Sequence, residues 1–482
     1  MKRVLVIAAA EWRYWLRSRL ALGGALLITA LLIATTALTT LRMQSETAKR
    51  TQHQAKAETA FLSKPDRHPH RMVHYGHYVF RTPAPLALFD PGLDSVTGQS
   101  IFLEGHRQNT AMFAASDASA DLGGLSWLSP AMVYQLFAPL LVILLGHGLV
   151  AREREAATLA TLLAQGTSGR VLLAGKALAL FSFVVVLLIP LALGAGFAVL
   201  NGEQLLAAGA LLIAYLLYLV IWGALALLAS AFIRNRAAVL ATLATLWIAL
   251  TLVLPAVAAS WAASAAADRI PVAGKLETDL AMLTDVRNLN DGHNANDPAF
   301  AQLRADLLAK YGVQRVEELP VNWRGVVAQI SEQKLTDTLN RYAQARMAAE
   351  TQQALALSVH GWLTPLLAVA DASRAVSGTD LAHYHRFLRE AEDLRYAFVQ
   401  RLNQIHAEKL TYADDIRRSS DTEAERRTRV DAANWQLLER FRFQPDAAGI
   451  RIQQARTQWL MLGLWCALLM MATFWLGGRL KP

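Results

Sequence analysis

The chain has 482 residues, 54% of them hydrophobic, a formal net charge of +9 and one cysteine. That apolar share at this length excludes an ordinary soluble enzyme and points to a membrane protein. The lone Cys466 lies in the last apolar run, so no disulfide can staple the polar segments.

Residues 1–19, "MKRVLVIAAAEWRYWLRSR", read as a helix on the membrane interface. The apolar run Val4–Ala10 ends in Glu11-Trp12-Arg13 rather than a small-residue cleavage site, so a signal peptide is not expected. Trp12, Tyr14 and Trp15, set among Arg13, Arg17 and Arg19, suit the headgroup level. Six runs then supply the roughly 20 uncharged residues that a spanning helix needs. They are Leu20–Leu41, Ala131–Val150, Val171–Leu200, Leu205–Ile233, Ala237–Ala267 and Thr457–Gly478. Pro190 and Pro255 lie inside two of them, where a helix should bend or break. The fold class expected is an all-α polytopic membrane protein.

The first long polar segment, 42–130, opens with a helical stretch, Gln44–Leu62, and then turns loop-like, dense in Pro, Gly, Asp and Ser. The second, 268–456, is mostly helical. Phe387, Ala391, Leu394, Phe398, Leu402 and Ile405 recur at gaps of three and four, one apolar face of a helix. Asp421–Phe443 reads as another helix. "NDGHNANDP" (290–298) lacks the spaced carboxylates of a calcium loop and reads as a turn.

Charge sets the sidedness. Segments 1–19, 151–176, 234–236 and 479–482 hold thirteen Lys/Arg against three Glu, a net +10. The whole chain carries +9, so everything else sums to −1. This asymmetry puts those pieces and both termini in the cytoplasm and the segments 42–130 and 268–456 outside. In a bacterium that means the inner membrane, with the outer segments in the periplasm. It also accounts for the basic pI without nucleic acid as a partner.

Several chemistries are tested and set aside. "GTSGRVLLAGKA" resembles a phosphate loop, but Gly169 and Gly175-Lys176 stand five residues apart rather than four, and Ala177 replaces the hydroxyl. The spans hold no Asp, Glu, Lys or Arg away from their ends, and His147 reads as a packing histidine rather than a proton relay. No H-E-x-x-H or G-x-S-x-G pattern occurs, so no enzyme is expected. The outer histidines His68, His70, His74, His77 and His106 are candidate metal ligands by residue type. Without cysteines or a known ligand spacing they read as solvated or structural, and no metal or cofactor is expected in the chain.

The segment after the second run, "EREAATLATLLAQGTSGRVLLAGK", together with "EWRYWLRSR" and the six-span layout, resembles the permease subunit of the type-2 ABC exporter family. Glu155, Thr158, Leu159, Leu162, Leu163, Arg170 and Lys176 match that family's pattern, with Ala157 in place of its usual glycine. "HYGHYVFRTPAPLALFDPGLDSVTGQSIFLEGH", "LPVNWRG" and "GTDLAHYHRFLREAEDLR" are similar to a subgroup with large outer domains between spans one and two and between five and six. The resemblance implies residues 151–170 as a coupling helix. Arg152, Glu153, Arg154 and Glu155 would pair with a separate ATPase subunit that binds ATP and magnesium, and Leu159, Leu162 and Leu163 would enter its groove. It also implies a second permease, identical or paralogous, and export. The competing readings are a membrane-anchored receptor or scaffold that binds a partner through its outer domains, and a membrane-embedded enzyme, which the lack of buried polar clusters disfavours.

Overall fold

The computed structural model describes residues 2–112, 128–267, 272–289, 294–437 and 441–480. Among them, six helices are long and apolar enough to cross a membrane, as the six apolar runs require. Most of the other described residues are helical too, joined by loops, and two strands form one two-stranded sheet.

The chain opens with α1 (Lys2–Ser18) and α2 (Leu20–Leu62), joined at Arg19 in the left-handed backbone region. Helix α2 runs unbroken for 43 residues, about 65 Å. The first span and the polar stretch Gln44–Leu62 are therefore one rod. No Gly or Pro interrupts it after Gly24, and Thr35, Thr39 and Thr40 turn their hydroxyls back to carbonyls one turn earlier. Beyond it stand α3 (Pro69–Val73) and the antiparallel strands β1 (His77–Phe80) and β2 (Ser100–Leu103), with His77 opposite Leu103. The sequence reading had only loop here. Strands of four residues bury Val79 and Ile101 but are too short for a period of two to stand out among turn residues.

A helical turn, Pro130–Met132, passes through a π-helical stretch, Val133–Phe137, into α4 (Ala138–Gly146). Then come α5 (Ala151–Glu155), α6 (Thr158–Ala164), α7 (Gly169–Leu187), α8 (Ile189–Leu200) and α9 (Leu205–Phe232). The fifth span is α10 (Arg236–Ile248), a second π-helical stretch, Ala249–Val253, and α11 (Leu254–Ala267). Helix α9 is the hub of the bundle, with Tyr215, Tyr218 and Trp222 fully buried.

The prolines interrupt the spans as the sequence suggests, and side-chain hydroxyls bond backbone carbonyls beside them. Pro190 follows a break at Leu188, and at that break Tyr134 donates its hydroxyl to Leu187 O (2.9 Å), next to the Val186 carbonyl that Pro190 cannot bond. Tyr218 donates to Gln135 O (2.7 Å), four residues before Pro139. Thr364 donates to Leu250 O (2.5 Å), the carbonyl that a π-turn would offer to the missing N–H of Pro255. Such rescue is what an apolar surrounding demands.

The second polar segment builds α12 (Val272–Arg287), α13 (Ala301–Tyr311), α14 (Trp323–Ser358), α15 (Pro365–Ser377), α16 (Leu381–Lys409), α17 (Tyr412–Arg417), α18 (Thr422–Arg427) and α19 (Ala448–Gln454). It ends in the sixth span, α20 (Arg456–Gly477). The expected face of α16 holds: Phe387, Ala391, Phe398, Leu402 and Ile405 are buried and Leu394 partly so. Asp421–Phe443 is not one helix. It stops at Arg427, Val430 pairs through its backbone with Arg67, and buried Trp435 donates to Lys64 O (3.1 Å). Those long-range bonds outweigh the local helical pattern. Residues 438–440, Asn290–His293 of the turn-like stretch and Lys481 lie outside the described residues. Helix α15 does not stand apart in an outer domain. Rich in alanine, it packs against α9 and α20 at the mouth of the bundle.

Candidate functional site

The charged segment begins where α4 ends. Ser230 Oγ of α9 accepts from the backbone N–H groups of Val150 and Ala151 (2.9 and 3.1 Å), fixing the start of α5. From there the four charges reach different elements. Arg152 donates to both oxygens of Glu11 on α1 (2.9 Å each), its guanidinium 3.7 Å from the centre of the Tyr14 ring. Lys176 of α7, wholly buried, donates to Glu11 (2.6 Å) and to Glu153. Arg154 donates to Ala231 O (3.1 Å) at the end of α9. Glu155 accepts from the Arg236 side chain (2.5 Å) and from its backbone N–H (2.7 Å), and so caps the positive end of α10.

The sequence reading made these four charges free to pair with a partner. Each has a partner inside the chain: Arg152 and Glu153 stand in an alternating row Arg152–Glu11–Lys176–Glu153 with no net charge, Arg154 binds Ala231 O and Glu155 binds Arg236. Lys176 was visible as the one lysine within an apolar run, yet its burial follows only from Glu11 and Glu153 approaching from two other helices.

Helix α1 is held by the same row. Ala8, Glu11 and Trp15 face inward, and Trp12, Trp15 and Phe183 pack ring to ring at 5.7–5.9 Å. Trp12 donates to Ser182 (2.8 Å). Of the expected interfacial residues, Arg13 is exposed, whereas Glu11 and Trp15 bind protein. Leu5, Val6 and Leu16 form the exposed apolar face. The glycines behind the apparent phosphate loop are contact points. A Cβ on Gly175 would lie 2.6 Å from Ile7 of α1, and one on Gly169 2.4 Å from Gly477 O of α20. Arg170 lies over Phe474 (4.3 Å), and Arg3 donates to Gly166 O (2.7 Å). Both ends of the described chain, residues 151–170 and the α9–α10 turn thus meet at one end of the bundle.

Helix α6 is separate from α5. Ala157 between them adopts φ 54°, the left-handed conformation that a glycine would take without cost. The coupling segment expected over 151–170 is therefore two short helices rather than one, separated at Ala157. Leu159 is 1% exposed and anchors α6 to its own chain, so it cannot also enter a partner's groove. Leu162 and Leu163 are half-buried, while Thr158, Ala160, Thr161 and Ala164 are exposed.

At the opposite end, Asp90 is buried beneath α15. Ser373 donates to it (2.5 Å), Tyr215 of α9 donates to Ser373 (3.0 Å), and Gln135 donates to Tyr215 (2.9 Å). Burial pushes the Asp90 carboxyl above its usual range despite Arg374 and Ser373. Arg451 of α19, equally buried, pairs with Glu203. His147, far from these, is bonded through Nδ1 to Leu144 O (2.7 Å), in keeping with a packing role.

The five outer histidines separate into three settings. His77 packs on the Phe61 ring (5.6 Å), and burial lowers its pKa. His68 is buried with His406 around Asp415, at 3.2 and 2.8 Å from its oxygens. Burial holds His68 down to about 4 although Asp415 opposes it. Burial would raise Asp415, but hydrogen bonds from His406 and His68 outweigh it and keep the carboxyl well below its usual range. Both Asp415 oxygens are engaged, by His68, His406 and Asn322, while His406 Nδ1 is buried without a hydrogen-bond partner among the described residues. His70, His74 and His106 come together at the surface, with one ring nitrogen from each within 4.8 Å of the others.

Residues 275–444, from α12 to beyond α18, match the family described as Domain of unknown function (DUF3526). No curated protein matches the chain.

Proposed function

We propose that the chain is the membrane permease of an ATP-binding cassette exporter, working as one of a pair above two separate ATPase subunits that bind ATP and magnesium. The α5–α6 segment carries this reading. Helix α6 offers a face of small exposed residues at the basic end of the bundle, a shape suited to a partner's groove. Behind it, α5 is tied by buried charge pairs to α1 and α7 and by hydrogen bonds to α9 and α10. A push on α6 would therefore move four helices together rather than flex a loop. The basic end is the cytoplasmic one, with both termini there and α12–α18 on the periplasmic side of a bacterial inner membrane. The second permease is identical or paralogous.

The test uses Ala160→Arg and Thr161→Arg, which alter only exposed positions. Each should abolish co-purification of an ATP-hydrolysing subunit while leaving the melting temperature of the chain unchanged. Undiminished co-purification and ATPase activity in both variants would refute the assignment.

A further inference from the structure

The trio His70, His74 and His106 is assembled by three independent devices. His68 Nδ1 accepts from His70 N (3.2 Å), capping the short helix α3 so that His70 and His74 lie one turn apart. Gly105 N donates to Val73 O (2.9 Å), and a Cβ on Gly105 would lie 1.8 Å from the Val73 side chain. Only glycine lets the end of β2 approach α3 this closely. His106 then adopts φ 62°, a conformation unfavourable for its residue type, which turns its ring toward α3. Finally, Glu332 of α14, 1% exposed and anchored by Arg395 (2.6 Å), accepts from His106 Nδ1 (2.8 Å). That leaves Nε2 as the ring nitrogen His106 offers to a ligand.

The spacing decides between chemistries. Ligand bonds of about 2.05 Å at tetrahedral angles place two nitrogens about 3.3 Å apart, whereas a right-angled square site would bring them to about 2.9 Å. His70 Nε2 and His74 Nε2 are 3.4 Å apart. Three imidazoles around one tetrahedral centre put their ring centroids about 5.2 Å from each other. The three separations here are 5.0, 5.2 and 5.5 Å.

We propose that His70, His74 and His106 bind a divalent cation of the zinc class, with Glu332 as the positioning residue for His106. The arrangement repeats the carboxylate–histidine–metal relation in which a second carboxylate fixes the tautomer and raises ligand basicity. His74 is exposed, so the ion enters from solvent and keeps a water as its fourth ligand. Through Glu332 and Arg395 the ion clasps the 42–112 segment onto α14 and α16. The site stands independently of the exporter reading.

The full-length chain in detergent, stripped with a chelator, is titrated with Zn2+ against a chromophoric competitor. One ion per chain is expected. His74→Ala and His106→Ala should each weaken binding at least tenfold, and the exposed His53→Ala should not change it. With Co2+ the wild type should show the intense visible bands of a tetrahedral site. Glu332→Gln should shift those bands and lower affinity about 10- to 100-fold. Less than a tenth of an ion per chain, or affinity unchanged in His74→Ala, would overturn the site and leave only an imidazole–imidazole hydrogen bond. His74 is exposed, so its variant reads binding even if Glu332→Gln fails to fold.

Discussion

Replacing Lys176 by methionine is the sharpest perturbation of the row Arg152–Glu11–Lys176–Glu153. The side chain keeps its length, but the one cation shared by Glu11 and Glu153 is lost. Glu11 is 3% exposed and Lys176 0%, so water cannot take the place of the missing charge. Breaking a buried pair by removing one partner costs about 3–5 kcal/mol. Arg152 still holds Glu11 through two bonds, and Glu153 is near solvent, which places the expected loss at about 3 kcal/mol. Glu11→Gln leaves Lys176 on Glu153 and should cost less, about 1–2 kcal/mol. The double variant should recover part of the summed loss, a coupling of about 1–3 kcal/mol. Thermal unfolding of the four proteins in one detergent gives the cycle. Limited trypsin digestion gives the structural readout, because Arg13 and Arg17 of α1 are exposed and should be cut faster once α1 loosens. Wild-type stability with an unchanged cleavage rate in Lys176→Met would refute the claim that this row fastens α1 and α5 to the bundle.

Ala157→Gly relieves a left-handed alanine and should stabilise the chain by up to about 1 kcal/mol, seen as a raised melting temperature. Thr364→Val leaves Leu250 O without its donor in an apolar setting and should cost about 1–3 kcal/mol, whereas Thr364→Ser should be nearly neutral. His68 is a base whose folded pKa, about 4, lies below its ordinary 6.5, so between these values the unfolded chain binds the extra proton. Its contribution is complete above pH 6.5 and lost as pH falls to about 4. At about 1.4 kcal/mol per pH unit the loss reaches about 3 kcal/mol. Chelator-stripped protein melted across that range should show this slope, and His68→Gln should flatten it.

The legible parts of this fold are those in which a long, regular pattern meets a single environment. Six apolar runs became six helices, and the face from Phe387 to Ile405 packs as its spacing dictates. The failures share a cause. Residues 421–443 carry a helical pattern, but Val430 and Trp435 are claimed by Arg67 and Lys64, some 360 positions away, which no local reading can weigh. Strands β1 and β2 are each too brief for their alternation to register. The charges Arg152–Glu155 look solvated in sequence because their partners, Glu11, Lys176, Ala231 O and Arg236, reach them only in the folded bundle. Gly169 and Gly175 imitate a nucleotide loop because phosphate approach and helix approach require the same missing side chain. The histidines divided for a similar reason. His68 and His70 are neighbours in sequence, but one faces Asp415 in the interior and the other faces His74 and His106.

The exporter account is tested most directly by a photocrosslinking amino acid placed at Thr161 in the otherwise native chain, activated in its own membranes and followed by purification. The account predicts a crosslink from α6 to a subunit that hydrolyses ATP, in a complex containing two permease chains and two such subunits. A chain that purifies without an ATP-hydrolysing partner, or an ATPase that never crosslinks to α6, would contradict it.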